Sequence, residues 1–432
     1  MYDESMNKNR EPKGSNRGGR FANGVNPEPD IQLAPESSRD WPAITYEERY
    51  LDESEIDDFV PRGKRYSARE PYYAAVVPEI ADVTTVDVPS DVLADAAEAA
   101  AEIARFDAEL SGEFANFAAI LLRSESASSS EIENLTAGAK SVALAGIGDD
   151  RVGKNASLIV ANTAAMDRAL ELADHIDEDS IIAMHAALLS VSRPEWTGRW
   201  RKDQVRIGGY SVHDASFVPP HQDRVPAAMV DLVRFVQRTD IATFVHAAIA
   251  HAQFETIHPF PDGNGRVGRA LIHAMYRHAG LTRNVTVPVS AGILTDPDQY
   301  FQTLTDYRNG NPAPIVSLMS VAAFRAVENG RQLAGELQSV RSKWKERLKA
   351  RAGSTAEGMS DFVMRQPAVD SALVQSQFGV SQQAAGVAIG RLVDAGILAP
   401  ASASRRNRRW VATDVIDALD AFAKRAGRRQ KP

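Results

Sequence analysis

The sequence predicts a mainly α-helical protein, interrupted by one irregular β-hairpin and closed at its C-terminus by a winged-helix module. Three observations predict it. Apolar residues recur at helical spacing over most of residues 88–330, most strongly at Ala242–Ile257. Residues 198–220, GRWRKDQVRIGGYSVHDASFVPP, instead alternate apolar and polar side chains around paired glycines and end in Pro-Pro, the composition of a hairpin. Residues 367–410 read as two short helices around a Gly-Val-Ser turn, then two strands.

The elements follow in order. Residues 1 to about 40 are rich in Asn, Gly, Pro, Arg and Glu and cannot bury enough apolar surface to offset their ordering entropy, so a flexible leader is expected, with the leader region taken to residue 70. Asp91–Phe106 is alanine-rich with Leu and Ile on one face, and Leu110–Leu122 repeats the spacing. The serine cluster Ser124–Ser130 is expected to interrupt it before a short Glu131–Leu135 segment. Further helices are expected at Ser141–Ala145, Leu158–Ala173, Ser180–Ser190, Ala227–Val236, Ala242–Ile257, Val267–His278, Tyr300–Tyr307, Ile315–Val327 and Gln332–Ala350. In the C-terminal module the helices are Val369–Phe378 and Gln382–Ala395, and the strands are Gly396–Leu398 and Trp410–Val411. The domain reading is therefore a leader at 1–70, an N-terminal helical region at 71–175, a core at 176–330, a linker helix at 331–355 and a winged helix at 356–425.

Bulk properties bound the function. A chain of 432 residues, 44% apolar and 25% charged, suits a globular protein of two or three domains. No run of about 18 uncharged apolar residues is present, so no membrane partner is expected. The N-terminus lacks a secretory pattern, and without cysteine there is neither disulfide nor thiolate metal site, which suits a cytoplasmic protein. The net charge of −8 is uneven. Residues 401–432 hold nine basic residues against three aspartates, leaving about −14 on the remainder. Any nucleic-acid contact is thus confined to the C-terminus, and a solvated basic tail is the other reading.

The chemistry concentrates in His258-Pro-Phe-Pro-Asp-Gly-Asn-Gly-Arg-Val-Gly-Arg269. This stretch lies between two helices, and amides at the second helix's N-terminus point outward with the helix dipole behind them. Gly263 and Gly265 allow a ligand close to the backbone. Arg266 and Arg269 stand about one turn apart on one face. The set suits a di- or triphosphate, with Asp262 as a ligand for Mg2+ bridging phosphate oxygens. His258 supplies an imidazole able to take a proton from an attacking hydroxyl.

The segment HPFPDGNGRVGR resembles the signature of Fic (Fic/Doc) family proteins, HxFx(D/E)GNGRxxR, at every fixed position. The resemblance covers roughly residues 75–330 and implies a Fic-type helical core with a β-hairpin flap. It implies transfer of AMP from ATP to a Ser, Thr or Tyr hydroxyl of a target protein, with ATP as substrate and Mg2+ as cofactor. By that likeness His258 is the general base, Phe260 anchors the loop and Asp262 holds Mg2+. Gly263, Asn264 and Gly265 form the anion hole, Arg266 contacts the phosphates, and Arg269 binds the γ-phosphate. Gly198–Arg201 and Val205, Ile207 and Gly208 resemble the approach to the flap, which in the family aligns a target by strand addition. Phe301, Leu304 and Arg308 fall where the family lines its adenine pocket, although relatives carry Tyr at the first of these and Asn at the last.

Ser129, Glu133 and Asn134 resemble the family's inhibitory motif, (S/T)xxxE(G/N), which implies that Glu133 pairs with Arg269 and so displaces the γ-phosphate. The spacing of Ser130 and Glu133 also fits a capping box at a helix start. Winged-helix tails occur in the family too, and here Gln382, Gln383 and Arg391 lie on the candidate recognition helix while Arg405, Arg406, Arg408 and Arg409 form the wing. The alternatives for this module are DNA contact and protein docking, including a homodimer. The sequence names neither the target protein nor whether it is the enzyme itself. Two further readings are a DNA-binding regulator with a vestigial nucleotide-sensing core, and a Fic enzyme using another donor. The phosphotransferase branch carries Lys at the Gly265 position, so Gly265 favours AMP.

Overall fold

The computed structural model describes residues 41–51, 70–111, 117–402 and 407–427. The expected leader at 1–40 lies outside them, as do Arg405, Arg406, Arg428, Arg429 and Lys431.

The chain opens on an antiparallel pair, β1 (Thr45–Arg49) with β2 (Tyr72–Val76), Glu47 opposite Ala74. This corrects the sequence reading, which put residues 45–49 in the leader. Helix α1 (Ser90–Glu109) buries Ala96, Ala99, Ile103 and Phe106, the stripe that its spacing predicts. Helix α2 (Ala118–Ile132) then runs straight through the serine cluster that was expected to break it. The serines are buried, and their hydroxyls donate back to carbonyls one turn earlier: Ser124 to Ile120, Ser126 to Leu122 and Ser130 to Ser126. Hydroxyls satisfied in this way need no water, so the helix survives burial. Ser130 lies inside α2 and Glu133 follows its C-terminal end, which removes the capping-box reading.

Helices α3 (Ala139–Ala145), α4 (Lys154–Glu171), α5 (Glu178–Leu189) and α6 (Val225–Val236) lead to the centre. There α7 (Thr243–Ile257) is buried at every position from Phe244 to Ile257, so it lacks a polar face. Its polar side chains are bonded internally; Gln253, for example, donates to Pro78 O and accepts from Tyr307. Helix α8 (Asn264–His278) packs beside it, followed by α9 (Val289–Ile293) and α10 (Pro297–Arg308). The two helices expected at 315–327 and 332–350 are one, α11 (Ala313–Arg347). It crosses α1 closely at Gly330, where a Cβ would stand 2.7 Å from the Phe106 ring.

The C-terminal segment adds α12 (Thr355–Arg365), β3 (Ala368–Asp370), α13 (Ser371–Phe378), α14 (Gln382–Asp394), β4 (Ala399–Pro400), β5 (Arg409–Val411) and α15 (Thr413–Arg425). Its sheet has the order β3-β5-β4, antiparallel. The strand expected at 396–398 is displaced to 399–400, because Ile397 and Leu398 are buried in the core. The protein is mainly α-helical, and none of its described helices is long and apolar enough to cross a membrane.

Candidate active site

Helix α7 ends at His258, which adopts a left-handed conformation with φ 52°. A non-glycine residue rarely takes this region, and strain of this kind is held in place by its surroundings. Arg201 is one such holder: its backbone N–H donates to Pro259 O and its side chain to His258 O at 2.9 Å and to Asp203 O. The His258 Nδ1 lies 3.4 Å from Glu255 O, so a proton there leaves the Nε2 lone pair free. Burial, with the Arg201 cation adding to it, pushes the imidazole down to about 3. It is therefore neutral at pH 7, the form that accepts a proton.

The loop after His258 is stapled from within. Asn264 accepts from Phe260 N at 2.9 Å and donates to Phe260 O at 2.8 Å. Its side chain thereby braces the loop across Phe260, and its backbone amide stands at the start of α8. Phe260 is wholly buried and stacks on His185, ring centroids 3.8 Å apart. His185 Nε2 also lies 3.2 Å from Asp262 O, and burial pushes this ring down to about 4.

Gly263, at φ 82°, turns the chain into α8, whose first amides lack intrahelical acceptors. Asp262, its side chain half exposed, accepts from Gly263 N and pairs with Arg266 at 3.3 Å. One carboxylate at the mouth of an amide cradle fits Mg2+, which usually keeps waters and takes one or two carboxylates plus phosphate oxygens. Among the described residues no cluster of three or more His, Asp or Glu forms a closed metal site.

The cradle is occupied by another part of the chain. Glu133 Oε1 accepts from Arg269 Nη2 at 2.9 Å, and Arg269 also donates to Ser129 Oγ and Ser129 O, each at 2.8 Å. A Cβ on Gly265 would stand only 2.0 Å from Glu133 Oε1, so the carboxylate lies directly over the first turn of α8. Asn134, with φ 60°, takes the left-handed position that ends α2 and turns the chain away. Three residues of the sequence motif thus meet Arg269 or shape the approach to it.

Two contacts escaped the sequence reading. Glu125, one turn before Ser129 on the same face, lies 3.0 Å from His273 Nε2 and accepts from Ser290 N at 2.9 Å. Glu255, buried beneath His258, has its carboxyl raised to about 7 by desolvation, and its Oε2 is 3.9 Å from His258 Nδ1. Glu125 meets residues far along the chain, and Glu255 lies in a helix whose spacing reads as core, so neither contact had a sequence signal.

The flap is barely a hairpin. A single antiparallel bridge joins Ile207 and Phe217 through two hydrogen bonds, beside Val205 and ahead of Gly208 at φ 71°. Regular pairing stops there because Gly209 turns so tightly that a Cβ would meet Asp214 O at 2.4 Å. Of the expected base-pocket residues, Phe301 is 49% exposed and Leu304 is buried in the core. Arg308 stacks its guanidinium 3.8 Å over the Phe217 ring, which ties it to the flap.

Residues 175–276 match the model of the Fic/DOC family. A protein adenylyltransferase fic-1 of Caenorhabditis elegans is 29% identical over 168 residues, 38% of this chain and 30% of that protein. A protein adenylyltransferase Fic of Nematostella vectensis is 25% identical over 162 residues, 37% of this chain and 35% of its own. The chain spans about a third of the length of these curated relatives. The crystal structure of a Fic family protein from Desulfovibrio desulfuricans aligns with a TM-score of 0.47 at 22% identity, over 76% of this chain and 97% of that one.

Proposed function

Residues 175–276 are a Fic/DOC family domain, and on that premise we propose that the protein is an adenylyltransferase, moving AMP from ATP to a Ser, Thr or Tyr hydroxyl of a target protein and restrained by Glu133. The observation that carries the restraint is the Glu133 carboxylate over Gly265 and against Arg269. An anion cradle that holds a carboxylate at 2.9 Å from its guanidinium suits a γ-phosphate equally well, and the two exclude each other.

In the proposed reaction the target hydroxyl oxygen attacks the α-phosphorus and its proton passes to His258 Nε2. The bond to the β-phosphate oxygen breaks, and pyrophosphate leaves. Arg266, Arg269 and the first amides of α8 hold the phosphates and oppose the charge gathering on the leaving group. Asp262 would hold Mg2+, which would supply further neutralisation of the phosphate charge. The flap around the Ile207–Phe217 bridge is the segment along which a target strand would be aligned.

The C-terminal segment reads as a winged helix in a docking role. Arg409 of the wing already pairs with Asp149 of the helical body, and the exposed face of α14 offers Gln382, Gln383 and Val387 beside the single cation Arg391. That face is poorly furnished for phosphate neutralisation.

Intact-mass measurement of the protein incubated with Mg2+ and each nucleoside triphosphate tests the activity. Self-modification or target modification by the mass of AMP, with ATP alone, supports it. Loss of label in His258→Ala, by about 10²–10⁴-fold, identifies the base. A mass gain from another donor instead redirects the reading to that nucleotide.

A further inference from the structure

Helix α2 has two working faces. Glu125, Ser129 and Glu133 follow one another at four-residue spacing and meet His273, Ser290 and Arg269. Ser124, Ala127, Ser128 and Glu131 lie on the opposite side, at i, i+3, i+4 and i+7, and there they form the floor of a cavity of about 240 Å³. Its far wall is the C-terminal module, through Pro367, Leu419 and Phe422. Arg123, at the cavity's edge, donates to Arg365 O and to the Gln366 side chain, fastening α2 to the end of α12.

The lining is mostly apolar, and a dry apolar cavity of ~150 Å³ already accepts benzene. The larger volume here suits a bicyclic ring. Three ionisable side chains border it, the cation Arg123 and the carboxylates Glu131 and Asp167. Arg123 spends a donor on each of residues 365 and 366, and its single charge, which already acts on Asp167, is outnumbered by the two carboxylates, so the polar edge is net acidic.

We propose that this cavity binds a small aromatic amine, its ring lodged between α2 and α15 and its ammonium at Asp167, and that occupancy strengthens the Glu133 restraint. The proposal rests on the autoinhibition reading above. Its sign follows from linkage. The cavity floor and Glu133 share helix α2, so a release of Glu133 that shifts α2 reshapes the cavity, and a ligand fitted to the present shape then favours the conformation in which Glu133 meets Arg269. By reciprocity, ATP seated with its γ-phosphate on Arg269 weakens the amine. Desolvation raises the Asp167 carboxyl above its ordinary value, and a cation beside it relieves that cost.

The test uses the full chain and tryptamine as probe, with binding followed by calorimetry and activity by AMP incorporation. Saturable one-site binding is expected, abolished by Ala127→Leu, which fills the cavity, and weakened several-fold by Asp167→Asn, which keeps the shape. Wild-type AMP incorporation should fall as tryptamine saturates. Absence of saturable binding, or equal affinity in the wild type, Ala127→Leu and Asp167→Asn, overturns the site. Binding with no change in AMP incorporation overturns its coupling to α2. Failure of the autoinhibition reading is separate: it appears as a Glu133→Gly variant no faster than wild type, with the calorimetric result unaffected.

Discussion

Glu133 and Arg269 meet at 2.9 Å although 136 positions separate them in the chain. Arg269 is 1% exposed at its side chain, whereas Glu133 is 38% exposed. The pair is therefore asymmetric. The cation is fixed in the core by Ser129, and the carboxylate is the part able to leave. Nucleotide entry at Arg269 requires that Glu133 leave it.

Arg269→Ala should weaken ATP binding while leaving ADP almost unchanged, because only ATP places a γ-phosphate at this guanidinium. Calorimetry with both nucleotides in the presence of Mg2+ checks it. Equal losses for the two would assign Arg269 to the α- or β-phosphate.

Asn264→Ala removes both bonds that brace the loop across Phe260. The buried Phe260 N–H and C=O lose their partner, which costs about 1–3 kcal/mol. Denaturant unfolding should show that loss. A change of a few tenths would mean that the loop repairs itself.

Stability should fall with pH from about 6.5 downward. His185, His251 and His258 are all depressed by burial, to about 4, 3 and 3. An unfolded chain takes up their protons near the ordinary value of about 6.5, while the folded chain does not, so acid favours unfolding. Glu255 acts oppositely, since its raised value of about 7 lets the folded state bind a proton first. Three histidines against one glutamate leave the net loss on the acid side. Chemical unfolding at pH 7.5 and 5.5 should give the lower midpoint at 5.5, and His251→Asn should flatten the difference.

The loop 258–269 was legible because its pattern is local: twelve consecutive residues hold the proposed base, the glycines and both arginines. Helix α7 and its neighbours were legible from apolar spacing for the same reason. What failed to show was long-range. The β1–β2 pair joins strands across residues 52–69, and Glu125 reaches His273 on a helix far downstream. The serine cluster misled because serine is a poor helix former in water, whereas in α2 burial and back-bonding to Ile120, Leu122 and Ser126 remove that competition. Asn264 showed its place between two glycines, whereas the bonds of its side chain across Phe260 had no sequence signal.

The account's central claim is that Glu133 holds the place of the γ-phosphate. Labelled AMP incorporation by Glu133→Gly, with ATP and Mg2+, tests it most directly, with Glu133→Gly/His258→Ala as the control that releases the restraint without a base. The single variant should exceed wild type by roughly 5- to 150-fold, the range that a coupling of about 1–3 kcal/mol between exclusive occupants produces, and the double variant should be silent. A single variant no faster than wild type, across several targets and itself, would contradict the claim and leave the Glu133–Arg269 contact a structural pair.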